Sequence, residues 1–145
     1  MIASITDRNI TSDLAIRTLR KALESQPTIK DGLILHSDQG SQYTSKAFTE
    51  FCESVNVTQS MSKAGYPYDN APMERYFNTL KNECTNLYEF TTEETLYQKV
   101  EEFAYVDYNH VRPHSYNGYR TPYEARTAAE IDKHYFFSHK CYKKA

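Results

Sequence analysis

Gly32-Leu33-Ile34-Leu35-His36-Ser37-Asp38-Gln39-Gly40-Ser41-Gln42-Tyr43 sets an apolar run directly against an acid and a glycine turn. Three consecutive aliphatic side chains predict a buried strand that ends at Asp38. Gln39 to Tyr43 reads as the turn after it. Ser45 then predicts the cap of a short helix that buries Phe48, Phe51, Cys52 and Val55 at helical spacing, and Val57 to Ser62 predicts a second strand. Strands joined by helices predict an α/β sheet. In such sheets chemistry gathers beyond the carboxyl ends of the strands, which is where Asp38 falls.

Upstream, Met1 to Thr6 alternates loosely and is expected to be a strand. Thr11 or Ser12 should cap a helix with Ala15, Leu19, Ala22 and Leu23 on one face and Arg17, Arg20 and Lys21 outside; Pro27 closes it. Downstream, residues 63–70 hold the Gly65, Pro67 and Asp69-Asn70 of a loop. Pro72 suits the first turn of a helix, with Met73, Phe77, Leu80, Cys84 and Leu87 as its expected buried stripe. A further helix is expected from Thr91, with Glu94 completing a capping box, burying Leu96, Val100, Phe103 and Ala104 and ending near Asn109 to His114. Thr121-Pro122-Tyr123-Glu124 carries the same start signals for a last helix.

The chain has 145 residues, 39% hydrophobic and 25% charged, enough for one domain with its own core. A formal net charge of -2 does not announce nucleic acid, so any basic surface is local. The 13 tyrosines suit partly wet contacts, nucleic-acid faces among them, and equally a half-buried helical surface. Neither a membrane-length apolar run nor a signal-peptide layout occurs. The three cysteines, Cys52, Cys84 and Cys141, write neither a disulfide framework nor a zinc knuckle, and a cytoplasmic setting is expected. His110 and His114 have zinc-like spacing, but Pro113 breaks the helix that would present both.

Asp38 at a strand end and Glu74 in the first turn of a helix are the carboxylates to pair. Two carboxylates in one cleft repel unless they share a cation, and oxygen-only ligands favour a hard divalent ion. A turn-capping Asp and a Glu at a helix N-terminus explain the same residues without any metal.

The wording around the pair adds a resemblance. His36 to Ser45 resembles the segment around the second acid of the integrase-type catalytic core, and Gly65 to Lys81 the segment around its third. Between Asp38 and Glu74 lie 35 residues, the interval for which that family is named. Tyr108-Asn109-His110-Val111-Arg112-Pro113-His114 and Gly118-Tyr119-Arg120-Thr121-Pro122 resemble its closing signature. The chain is thus similar, from about Ile5 to Ala125, to the integrase-like cores of bacterial insertion-sequence transposases, which are related to retroviral integrase.

That resemblance implies an α/β, ribonuclease H-like fold, a mixed sheet flanked by helices that lacks its first strands, and in the intact family a site for two Mg2+ or Mn2+ ions. The implied reaction is attack on a phosphodiester by water or a DNA 3′-hydroxyl. Asp38 and Glu74 match metal ligands. Asn78 and Lys81, at i+4 and i+7 from Glu74, would face DNA, and Arg112 and His114 would contact phosphate. The implied partners are transposon-end and target DNA and further copies of the chain, with no membrane. Residues 1–125 would form a partial catalytic core and 126–145 a helical or frayed extension. The family's first acid lies on its first strand, before the segment resembling Met1 to Thr6, and Asp7 does not occupy that place. On this reading the chain alone joins no DNA; the alternative is an inactive remnant that at most binds DNA or associates with full-length transposase. A carboxylate-pair glycosidase finds no support in the Gly-Ser turn, and no Gly-x-Ser-x-Gly elbow of a serine hydrolase occurs.

Overall fold

A computed structural model of the chain describes residues 1–26, 32–63 and 70–128. They belong to two compact units, residues 2–101 and residues 102–145 together with Met1, each described by itself.

In the first unit, α1 (Ser12–Glu24) starts where the Thr11 hydroxyl accepts the Leu14 N–H at 3.1 Å. The expected stop at Pro27 lies outside the described residues. Next come β1 (Leu33–Ser37), a single turn α2 (Ser41–Thr44), α3 (Lys46–Ser54) and β2 (Val57–Met61). The Ser45 hydroxyl caps α3 by accepting the Phe48 N–H at 3.3 Å. β1 and β2 pair in parallel, in register from Leu33 opposite Val57 to Ser37 opposite Met61. Leu19, Phe48, Cys52 and Val57 form the core beneath this pair, with Leu33, Leu35 and Leu23 packed against it. Burying a side chain such as Phe48, 1% exposed, stabilises by roughly 1.5–3 kcal/mol.

Three sequence expectations need correction here. β1 is not buried throughout: Leu33 and Leu35 face the helices, whereas Ile34 is 65% exposed. Parallel pairing puts alternate residues on opposite faces, and among the described residues α1 and α3 cover one face only. Met1 to Thr6 is not a strand. Two of its carbonyls are taken by side chains instead of a ladder: Ser4 accepts from Lys21 Nζ at 3.2 Å and Met1 from Asn109 Nδ2 at 2.8 Å. The third concerns α4 (Ala71–Glu83), which carries Pro72 in its first turn as expected. Its inward row is Tyr76, Leu80 and Cys84, the first and last buried and Leu80 half-buried, while Met73 and Phe77 stay half exposed and Leu87 more so. Tyr76, Leu80 and Cys84 recur every fourth residue, one position away from the Met73–Phe77 row, and the amphipathic Tyr76 ring takes the inward place.

A 3-10 turn (Thr85–Leu87) leads to α5 (Glu93–Glu102). Its cap is Thr92, whose hydroxyl accepts the Thr95 N–H at 3.2 Å, one residue beyond the expected Thr91–Glu94 box. In the second unit the helix continues in π form over Phe103–Val111, with Phe103, Ala104 and Asn109 buried. It ends at Arg112, whose N–H donates to the Asp107 carbonyl at 2.7 Å. The last helix, over residues 122–128, has the expected reciprocal box: Thr121 N–H donates to Glu124 Oε2 at 2.8 Å and Glu124 N–H to the Thr121 hydroxyl at 3.2 Å. No helix among the described residues is long and apolar enough to cross a membrane.

Candidate metal and nucleic-acid site

Asp38 follows the last residue of β1 and is exposed. Its Oδ1 accepts the Gly40 N–H at 2.8 Å, a local turn that fixes the carboxylate over the backbone. A β-carbon on Gly40 would lie 2.8 Å from that oxygen and 2.5 Å from Gln42 Nε2, so any larger residue there would push both side chains aside. The flanks of Asp38 are tied down as well. Ser62 N–H donates to the Ser37 carbonyl at 2.8 Å, and Gln39 Nε2 donates to the Ser62 carbonyl at 3.1 Å. His36 completes this tie, with Nδ1 3.0 Å from Ser60 Oγ and Nε2 3.0 Å from Ser62 Oγ. Sequence reasoning missed the tie: His36 and Ser60 meet only once the register places them opposite each other. Burial first, and the Asp38 charge second, push the Tyr43 phenol above its ordinary pKa.

Glu74 stands exposed in the first turn of α4, where the unpaired N–H groups favour negative charge. It lines an open depression along that helix with Arg75, Asn78 and Asn82. Lys81 is exposed but does not line it. Asp38 and Glu74 belong to the same unit. Residues 64–69, much of the expected loop before α4, lie outside the described residues. Both carboxylates are exposed and offer oxygen only, the donor type a hard divalent cation takes. Among the described residues no group of three or more His, Cys, Asp and Glu converges to hold a metal.

Arg112 and His114 lie in the other unit, at the end of the π-helical segment. Arg112 is half-buried. The backbone of His114 is built into a turn: its N–H donates to the Arg120 carbonyl at 3.1 Å, and its carbonyl accepts from Asn117 at 3.0 Å and Tyr119 at 2.9 Å. Its ring stands edge-on to Tyr108 at 4.7 Å, whereas His110 lies against Tyr123 at 4.4 Å. The two histidines therefore serve separate aromatic contacts.

The chain belongs to the integrase core family. Two family models, both described as integrase core domain, match residues 1–67 and 55–122. This is the α/β, ribonuclease H-like class that the sequence leads one to expect, and the described residues show its parallel pair. The core is of the insertion-sequence transposase type. The chain is 43% identical over 91 residues to the transposase for insertion sequence element IS904 of Lactococcus lactis, covering 63% of this chain and 36% of the relative. It is 39% identical over 113 residues to the insertion element IS600 31 kDa protein of Shigella sonnei, covering 78% and 41%. To transposase InsF for IS3A of Escherichia coli it is 34% identical, covering 78% and 39%. The chain thus spans about two fifths of the length of these curated relatives or a little less. A chain of the simian T-cell lymphotropic virus intasome, solved in complex with a PP2A regulatory subunit, is similar at TM-score 0.44 and 17% identity, over 69% of this chain and 36% of that one.

Proposed function

We propose that this chain supplies Asp38 and Glu74 to a divalent-metal site for cutting and joining DNA, and that residues 1–125 act as part of that catalytic core. The observation that carries the reading is the Asp38 turn. An exposed carboxylate is held at the carboxyl end of β1 by Gly40 and flanked by the His36, Ser62 and Gln39 tie, with one oxygen on a backbone N–H and the other not so engaged. A turn-capping Asp needs only the Gly40 bond; the surrounding tie holds the residues on either side of it as well, which suits a ligand. Glu74, at the positive end of α4, is the partner carboxylate on the polar side of the helix.

Mg2+ or Mn2+ held there would neutralise charge on a phosphodiester and activate the attacking oxygen. The protein's own contribution is positional. Gly40 and the serine–histidine tie orient Asp38, while α4 presents Glu74 with Asn78 one turn on. Lys81, exposed on the same helix, supplies a cation for a DNA phosphate, and Arg112 and His114 in the other unit are phosphate contacts of the same reading. Assembly of several copies on DNA belongs to the same reading.

The test is Mn2+ binding followed by electron paramagnetic resonance. Binding by the wild-type chain that weakens in both Asp38→Asn and Glu74→Gln supports the shared site. Binding unchanged in either variant contradicts it.

A further inference from the structure

The segment Tyr108 to Tyr123, between Asp107 and Glu124, is rich in aromatic and basic side chains. It carries four tyrosines, two arginines and two histidines and no acidic residue, in a protein with 19 acids and a net charge of -2. Its centre is a tight knuckle. A 3-10 turn (Ser115–Asn117) is closed by an antiparallel bridge between His114 and Arg120. Gly118 and Tyr119 then both take left-handed backbone, at φ +64° and +62°.

For glycine that conformation is free; for tyrosine it is strained. Strain is expected where an aromatic ring is packed inside, but Tyr119 is 77% exposed and Tyr116, at the tip, 100%. The knuckle therefore holds two aromatic rings out to solvent on a backbone with four hydrogen bonds among His114, Ser115, Asn117, Gly118, Tyr119 and Arg120 within 3.1 Å. Arg120, also exposed, adds positive charge beside them.

We infer that Tyr116 and Tyr119 form a stacking platform for unpaired bases of single-stranded DNA, with Arg120 on the adjoining phosphate. A protein surface would be matched by aromatic rings as well; the exposed Arg120 beside the two rings favours the phosphate backbone of a nucleic-acid strand. Paired bases hide their faces in the duplex, so exposed rings gain most from a strand that is open. This deepens the DNA reading above and depends on it only for DNA as the partner. Cutting and joining DNA generates open strand ends, which such a platform would grip.

The test uses the full chain, a fluorescein-labelled oligo(dT) 20-mer and a blunt duplex of the same length, measured by anisotropy in EDTA. Without metal, the result is independent of the carboxylate site, whose failure would show in Mn2+ binding instead. Tyr116→Ala and Tyr119→Gly should each weaken single-strand binding about tenfold and duplex binding by less than about twofold. Tyr119→Gly keeps the turn, because glycine adopts its backbone freely, so a loss there is loss of the ring. Tyr116→Phe should bind as the wild type does. Arg120→Gln should flatten the salt dependence of single-strand binding by about 0.7 in log–log slope. Tyrosine emission, uncomplicated by tryptophan, should be quenched by the oligomer, less so in the two tyrosine variants. No binding of the 20-mer by the wild type, equal losses for both DNAs, or an effect of Tyr116→Ala on self-association alone would overturn the inference.

Discussion

Two turns in this protein solve opposite problems. The turn after β1 presents an acid, Asp38, and relies on a side chain to hold it: the carboxylate itself accepts the Gly40 N–H, and a β-carbon on Gly40 would crowd that oxygen. The turn after the π-helical segment presents tyrosines and an arginine and is closed by backbone bonds, through the bridge from His114 to Arg120. In the first, glycine sits where space is short. In the second, tyrosine sits at φ +62°, where glycine would be cheaper. The first sacrifices nothing locally and rests on a packed sheet; the second accepts strain to display a ring. Residues on show at the two turns should therefore respond differently to substitution from those that support them.

The widest contrast is between support and display. Phe48→Ala, beneath the sheet that carries Asp38, should cost about 3–5 kcal/mol in urea unfolding. Tyr116→Ala, at the tip of the second turn, should stay within about 0.5 kcal/mol of wild type. Comparable losses would remove the distinction.

Gly40→Ala should come next, costing about 1–3 kcal/mol through crowding and pushing the Asp38 carboxylate aside. Mn2+ affinity should fall with it by at least about tenfold, as when groups that orient a ligand are lost. Unchanged stability with unchanged Mn2+ binding would mean that the turn relaxes freely around a methyl group.

The helix after the second turn depends on its Thr121–Glu124 box. The Thr121 N–H first, and the Thr121 hydroxyl second, hold the Glu124 carboxyl below its ordinary pKa. A depressed folded pKa means stability that is present above the ordinary glutamate value and lost as pH falls through the folded one. Thr121→Ala should cost about 1 kcal/mol, and the Glu124 carboxyl, followed by NMR, should then titrate at higher pH. A midpoint that does not move would assign the depression to the Thr121 N–H, which alanine keeps.

The smallest effect has the opposite sign. Tyr119→Gly should leave thermal stability unchanged or raise it by up to about 1 kcal/mol, since relief of left-handed strain is offset in part by the freedom glycine gains when unfolded. A clear loss of stability would show that the ring packs, contrary to its exposure.

The same contrast explains what the sequence made legible. Elements built on periodic burial or local caps were readable residue by residue: Thr11 and Ser45 as caps, β1 ending before Asp38, and Thr121 with Glu124 opening the last helix. Phase within α4 was not, because an amphipathic tyrosine competes with Met73 and Phe77 for the inner face and tertiary contacts decide the winner. Ile34 was misplaced because three aliphatic residues in a row do not reveal whether one face of a strand is covered or both. The His36–Ser60–Ser62 tie depends on strand register, and the left-handed backbone at Tyr119 on a turn whose closing bond joins residues six apart. Asp38 and Glu74 were nameable from motif wording, and their environments add reasons for the choice that the wording could not supply.

The pairing of those two carboxylates is best tested by anomalous diffraction from crystals of the chain grown in Mn2+. The account predicts a manganese peak at about 2.0–2.4 Å from carboxylate oxygens of both Asp38 and Glu74, with their carboxyl carbons within roughly 8 Å of each other. Carboxylates on opposite faces of the sheet, or a manganese bound by neither, would contradict it.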